Sequence, residues 1–445
     1  MRPIDPQLQH EADNPTTSPS CSVDPVTVSE VKHHIKKLHN RRAPGICNIT
    51  AEMLKAGGEA MFQWLTDVIN AVWVNEVLPD DWRRGVILPF WKRKGDMHVC
   101  SNHRGITLLS IPGKLFSRIL IDRARPAMYH HRRIHQSGFM PGRSTTDHLS
   151  SMRLLIEKAY EFRRGRDLYI AFIDLKAAFD SVDRKSIWAT LRSISVPDKL
   201  VRLLERLHHQ TKSSVKIDKA ESTPFVITSG VRQGCTAAPD LFNCLLDHLM
   251  RRVTNRTHGI LLNDYELKDL EFADDTVLFA PDLAGLTEAL RIYVEEATKI
   301  GLQVNFSKTK IMAVSESTPP ASITINNNTI EIVKDFIYLG SKVNTNGDLR
   351  QETLRRRALA NDILRRLWKP LWRHRNISDR TKMRIYNACV LSVLLYGSET
   401  WPLSATHAKE LAGFDNRAQR RVLGIRWQDR ITNEEVRRRS LQPPL

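Results

Sequence analysis

Only six of the 445 residues are cysteine, and none falls in a C-x-x-C pair. Cys21, Cys47, Cys100, Cys235, Cys244 and Cys389 therefore indicate neither a zinc module nor a disulfide framework, and reduced, structural thiols are expected. No apolar run approaches the roughly 18 residues a membrane span needs, and Met1-Arg2-Pro3-Ile4-Asp5 lacks a signal-peptide core. An intracellular protein with no membrane partner is expected, nucleus and cytoplasm being undistinguished. Histidine pairs occur at His33-His34, His130-His131 and His208-His209, but no H-E-x-x-H accompanies them, which removes the zinc-protease reading. Acidic residues are in deficit as well: 49 Asp and Glu face 67 Lys and Arg, a formal net charge of +18. Polyphosphate is the partner such a balance most often serves, with an anionic membrane surface and plain solubility as blander alternatives.

What is present is enough apolar material, 41% of residues, to build real cores in two or three domains. Residues 1–27 are rich in Pro, Ser, Thr and Asp without periodicity and are expected to be a disordered lead-in. Residues 28–150 open with helical spacing at Val31, Ile35 and Leu38, followed by a helix over 61–77. In 151–345 a continuously apolar run, Leu168 to Ile173, reads as a buried strand ending at Asp174, preceded by Arg163-Arg164-Gly165-Arg166. Helices over 185–193, 198–210 and 239–252, an extended stretch over 213–227 turning near Lys219-Ala220, and a helix over 286–300 follow. Strand-like Gln303-Val304-Asn305-Phe306 and Ile311-Met312-Ala313-Val314 come next. From about 346 to 445 the composition turns to Arg-rich helices over 349–369, 378–396 and 405–424. This order predicts an α+β fold with a helix-backed antiparallel sheet.

Two adjacent acids, Asp274 and Asp275, interrupt the apolar run Leu270 to Ala280. Neighbouring side chains on a strand point to opposite faces, so both reach one site only at a hairpin turn. Alone the pair reads equally as a plain turn or a cation site. With Asp174 at another strand end, 100 residues earlier, three acids on one sheet would suit Mg²⁺, which takes few carboxylates and fills its shell with water and phosphate oxygens.

Ala171-Phe172-Ile173-Asp174-Leu175-Lys176-Ala177-Ala178-Phe179-Asp180 followed by Phe272-Ala273-Asp274-Asp275 resembles reverse transcriptases of non-LTR (LINE-like) retrotransposons. Further blocks keep the family order: Lys92-Arg93-Lys94-Gly95-Asp96, Asn102-His103-Arg104-Gly105-Ile106-Thr107, Gln136-Ser137-Gly138-Phe139-Met140-Pro141-Gly142-Arg143, Gly230-Val231-Arg232-Gln233-Gly234-Cys235, Gly301 to Lys310, and Tyr338-Leu339-Gly340. The resemblance covers roughly residues 30 to 430, too many ordered blocks for coincidence. It implies a right-hand polymerase, with fingers in 28–150, a palm with an antiparallel sheet in 151–345 and a basic helical thumb beyond.

The resemblance further implies Asp174, Asp274 and Asp275 as ligands of two Mg²⁺ ions, with Mn²⁺ as a substitute. Lys94 and Arg104 become triphosphate contacts, Arg as a fork and Lys as a point charge. Phe179 would sit under the sugar and exclude a 2′-hydroxyl, with core packing as its other reading. Gln233 and Gly234 would meet template and incoming nucleotide, or simply turn the chain before the next helix. Lys308, ahead of Lys310, is the candidate to protonate the leaving pyrophosphate. The partners implied are an RNA template, a DNA primer or target, and dNTPs, with the thumb arginines on phosphates.

Three places depart from the family pattern: Arg42-Ala43-Pro44-Gly45-Ile46-Cys47-Asn48 replaces Pro-Gly-Pro-Asp-Gly, His103 stands where Tyr is usual, and Ala237-Ala238-Pro239 replaces Leu-Ser-Pro. The endonuclease that usually precedes the polymerase is expected to be missing. The rival readings are an inactive nucleic-acid-binding remnant, which the intact acids oppose, and an RNA-copying RNA polymerase, which Phe179 and Ala273 oppose.

Overall fold

The six apolar residues Leu168–Ile173 form a strand in which every side chain is buried, because a central strand covered on both faces has no solvent side. The molecule is described from a computed structural model that covers residues 3–161 and 167–445. The Arg163-Arg164-Gly165-Arg166 run lies outside the described residues. Leu168–Ile173 sits within a six-stranded sheet ordered Ser322–Ile325, Asn328–Ile332, Lys310–Val314, Leu168–Ile173, Asp275–Ala280, Asp269–Phe272. All pairings are antiparallel except that of Lys310–Val314 with Asn328–Ile332.

The pleat divides this sheet between two cores. Tyr169, Ala171, Ile173, Leu278 and Ile311 point toward the helices Arg184–Ser193, Ala238–Thr254 and Leu283–Lys299, whereas Leu168, Ile170, Phe172, Val277 and Met312 point toward the helix Thr145–Glu161. Each fully buried Leu, Ile or Phe here contributes about 1.5–3 kcal/mol. That burial fixes the ends of the strands, and the candidate acids stand at those ends.

A second sheet of five strands lies apart from the first, in the order His103–Leu109, Arg84–Trp91, Thr211–Ile217, Ala220–Glu221, with Phe225–Ile227 also paired to Thr211–Ile217. Its expected turn falls at Asp218-Lys219, with Asp218 at φ 52°. A third core gathers Leu349, Leu364, Trp372, Tyr386, Phe414 and Val422 from the C-terminal helices. It is tied to the sheet body where Tyr396 donates to the Leu339 carbonyl at 2.8 Å, and through Ser341 Oγ, which accepts from Arg153 at 3.0 Å and donates to Glu352 Oε1 at 3.3 Å.

Three sequence expectations are corrected. The lead-in is ordered in part: Pro6–Asp13 is a helix capped by Asp5, whose carboxylate accepts from Leu8 N–H. Leu8 is fully buried, Arg252 grips Asp5 and Glu11, and Thr16 N–H donates to the Ser193 carbonyl at 2.9 Å. Low hydrophobicity rules out an independent core, but a single buried leucine and an ion pair suffice to dock a segment on a surface already formed. Gln303–Phe306 is not a strand; it makes an isolated bridge between Leu175 and Val304 before turning. The long C-terminal helices are interrupted by wide π turns at Trp368–Trp372, which contains Pro370, and at Asn387–Leu391. Proline cannot donate the hydrogen bond that would continue a regular helix.

Candidate active site

The hairpin of strands Asp269–Phe272 and Asp275–Ala280 has a loop of only Ala273 and Asp274, since Phe272 pairs with Asp275. Ala273 closes it at φ 55°, a left-handed conformation that costs a non-glycine residue about 1 kcal/mol or more. On its other side Asp275–Ala280 pairs with Leu168–Ile173, Thr276 opposite Ile173. One step further along that register, Asp275 faces Asp174 across the strand ends. The three acids separated in sequence thus meet at one edge of the sheet.

Their electrostatics show the proximity. Burial pushes the Asp275 carboxyl up to about 6, and the charges of Asp274 and then Asp174 push the same way. The rim of Asp275 is exposed, yet the protein packed behind it removes much of its hydration. Asp274 is raised by burial and by Asp174, against its own backbone hydrogen bond and the positive charge of Arg104. A cluster that raises its own proton affinity is one that a cation would relieve. Among the described residues no acid, histidine and cysteine side chains form a ready-made cage of three, so any cation here would complete its shell from water and substrate oxygens.

Asp174 is held on several sides. Its backbone N–H donates to Thr309 Oγ1 at 3.3 Å, its carbonyl accepts from Asn305 N–H at 2.8 Å, and Oδ2 accepts from Asn305 Nδ2 at 3.0 Å. Lys308 Nζ stands 3.5 Å from the same oxygen, whereas Lys310 is engaged by Glu331 at 2.8 Å. Of the two lysines, Lys308 is the one that reaches the acids.

The remaining candidates divide. Arg104 is exposed on the second sheet, opposite Phe90, and its charge is felt at Asp274. Lys94 is exposed on the loop between strands Arg84–Trp91 and His103–Leu109, and makes no ion pair with the three acids among the described residues. Phe179 stacks on Phe242 with centroids 4.3 Å apart and meets Phe139 edge-on at 6.4 Å. Gln233 donates from Nε2 to both oxygens of Asp180, at 2.7 and 2.9 Å. Gly234 adopts φ 83°, and a Cβ there would lie 2.7 Å from the Thr107 carbonyl, so its freedom is used to bring this loop against the second sheet. A cavity of 280 Å³ opens between the five-stranded sheet and the segments carrying Asp180, Arg184 and Gln233, with Thr107 also on its wall.

Sequence reasoning missed Asn305 and Thr309, which position Asp174, and Asp180, which holds Gln233. Asn305 was visible within the Gly301–Lys310 block, but only contact across 131 residues gives it a task.

The match to known proteins decides the family. Residues 92–343 match the family described as Reverse transcriptase (RNA-dependent DNA polymerase). The chain belongs to the reverse transcriptase family. The α+β architecture, with a largely antiparallel sheet backed by helices, is that of a right-hand polymerase. The chain is similar to the probable RNA-directed DNA polymerase from transposon BS of Drosophila melanogaster, 26% identical over 426 residues covering 91% of this chain and 45% of that protein. It is also similar to the RNA-directed DNA polymerase from mobile element jockey of Drosophila funebris, at 23% identity over 93% of this chain and 45% of that protein. The Pol polyprotein from the type-1 retrotransposable element R2 of Nasonia vitripennis is 30% identical over 53% of this chain and 22% of that protein. The chain therefore spans less than half the length of these curated relatives. Among solved structures, telomerase from Candida albicans aligns with a TM-score of 0.47 at 11% identity, over 85% of this chain and 69% of that one. The retrotransposon resemblance read from the sequence agrees with the relatives found. No described helix is long and apolar enough to cross a membrane.

Proposed function

We propose that the chain is an RNA-directed DNA polymerase that adds deoxynucleotides to a primer 3′-end on an RNA template. The observation that carries this reading is the convergence of Asp174, Asp274 and Asp275 at one edge of the palm sheet, inside the segment matched by the family. These three carboxylates would hold two Mg²⁺ ions, or Mn²⁺ in their place. When bound, the ions supply Lewis-acid activation of the 3′-hydroxyl and neutralise charge on the triphosphate.

The chain's own residues do the rest. Asn305 holds the Asp174 carboxylate and Thr309 anchors its backbone N–H. Arg104, on the finger strand whose charge reaches Asp274, binds the triphosphate through its fork, and Lys94 on the neighbouring loop supplies a second positive charge. Lys308 delivers a proton to the departing pyrophosphate. Phe179, backed by Phe242, blocks a 2′-hydroxyl. Gln233 and Gly234 form a loop surface for the templating base and incoming nucleotide, with Gln233 kept in place by Asp180. The Arg-rich C-terminal helices hold the template–primer duplex by its phosphates.

The test compares primer extension on RNA by the parent chain and by Asp274→Asn in Mg²⁺. Removing one charged ligand while preserving shape should lower kcat at least ~10³-fold with primer–template affinity kept within about threefold, because the lost term is transition-state stabilisation. Equal extension by parent and variant would remove Asp274 from the site. Absence of extension by both, with nucleic-acid binding intact, would favour the remnant reading.

A further inference from the structure

The block Gln136-Ser137-Gly138 has no assigned task, yet it is built onto the turn that carries Asp274. Gln136 is 2% exposed. Its Oε1 accepts from Ala273 N–H at 2.9 Å and from Gly138 N–H at 2.8 Å, while Nε2 donates to Glu271 Oε2 at 3.2 Å and to the Ala273 carbonyl at 3.4 Å. One amide side chain therefore satisfies both backbone groups of Ala273, the residue at φ 55° immediately before Asp274.

The surroundings allow this segment little freedom. Ser137 N–H donates to the Glu271 carbonyl at 2.9 Å, and Glu271 N–H to the His135 carbonyl at 3.1 Å. A Cβ at Gly138 would lie 2.1 Å from Ala273 N, so only glycine lets the backbone approach this closely. Asn243, on a palm helix, donates to the Gly138 carbonyl at 2.6 Å and fastens the far side of the loop.

We propose that Gln136 is a positioning residue for the polymerase reaction, holding the strained Ala273 turn so that Asp274 and Asp275 stay aimed at Asp174. The inference rests on the polymerase reading for its catalytic consequence and on the hydrogen bonds alone for its structural one. Gln136 touches neither substrate nor the three acids; it acts through the backbone of Ala273. A two-residue loop with a left-handed alanine has no internal reason to keep this shape, and an external pair of hydrogen bonds supplies one. The polar contacts are buried, where an unmade bond is costly.

The test pairs Gln136→Met, which keeps length and loses every hydrogen bond, with Gln136→Glu, which keeps an acceptor oxygen for the two amides and, held protonated by burial beside Glu271, an O–H donor toward Glu271 Oε2. Three quantities are compared with the parent chain: amide hydrogen exchange across 269–276, kcat against KM for dNTP, and primer–template Kd. In Gln136→Met the turn amides should exchange about 10–100-fold faster, as local opening no longer breaks these bonds, and kcat should fall by a similar factor with KM and Kd within about twofold. Gln136→Glu should restore turn protection and bring kcat to within about tenfold of the parent.

Turn exchange in Gln136→Met equal to that of the parent would overturn the proposal. So would a uniform loss of protection across the palm with KM and Kd worsening together, the behaviour of a mere core residue. Should the Met variant not fold, an unprotected turn in a folded Gln136→Glu is the overturning result and a protected one the supporting result. A parent chain that extends no primer would sink the polymerase reading, whereas the exchange of its turn would still decide the clamp.

Discussion

Phe179 stacks flat on Phe242, a ring with no solvent exposure, so its two sequence-level readings, core packing and sugar exclusion, are compatible in one side chain. A ring braced from behind could not retreat from a 2′-hydroxyl placed against it. Phe179→Val should raise ribonucleotide incorporation relative to deoxynucleotide by roughly 10–100-fold, the range a cavity of this kind can discriminate, read from competitive single-nucleotide extension. Unchanged discrimination would leave Phe179 a packing residue only. At this scale the meeting of the three acids was legible from their places at strand ends and the order of the family's blocks, although the Asp274-Asp275 pair alone read equally as a plain turn. The side chains that aim them were not. Gln136 meets Ala273 across 137 positions and Asn305 meets Asp174 across 131, and no local pattern announces such a bond. Lys308 lies 3.5 Å from Asp174 Oδ2 whereas Glu331 occupies Lys310; sequence could not show this, because the occupying acid comes from a neighbouring strand.

Elements were legible where one physical cause dominated. Leu168–Ile173 reads as continuously apolar because helices cover both faces of its sheet, and the helix Leu283–Lys299 ends where Gly301 takes φ 87°. Gln303–Phe306 misled because alternation of polar and apolar residues was present while its backbone bonds went to Lys176 and Asp174 instead of a ladder. The lead-in misled for another reason: a disorder argument weighs what a segment can bury by itself, and Pro6–Asp13 buries Leu8 against the body of the protein. Leu8→Ala should therefore destabilise the chain by about 2–4 kcal/mol, measured by chemical denaturation. A change below about 0.5 kcal/mol would mean that this helix is not docked.

Over the whole molecule, the charge of +18 favoured a polyphosphate partner over an anionic membrane surface or plain solubility before any motif was read, and the fold places the basic helices and the acid cluster on separate elements. What composition could not reveal is the buried histidine population. His148 donates or accepts at 3.1 Å with Tyr338 Oη, and burial lowers its pKa to about 4; His208 donates Nδ1–H to the Leu204 carbonyl at 2.8 Å and is lowered to about 3. Both are bases whose folded-state pKa lies below the ordinary value of 6.5. The unfolded chain therefore takes up protons first, so stability is complete above about pH 6.5 and is lost as pH falls toward 4 and 3. At pH 5 each ring should cost on the order of 2 kcal/mol relative to neutral pH, seen as a falling denaturation midpoint that His148→Gln partly restores. The most direct measurement of the central claim is Mg²⁺-dependent extension of a DNA primer on an RNA of defined sequence, with the product sequenced. The account predicts DNA complementary to that RNA. A folded chain that binds the primer–template yet yields no such product in Mg²⁺ or Mn²⁺ would contradict it.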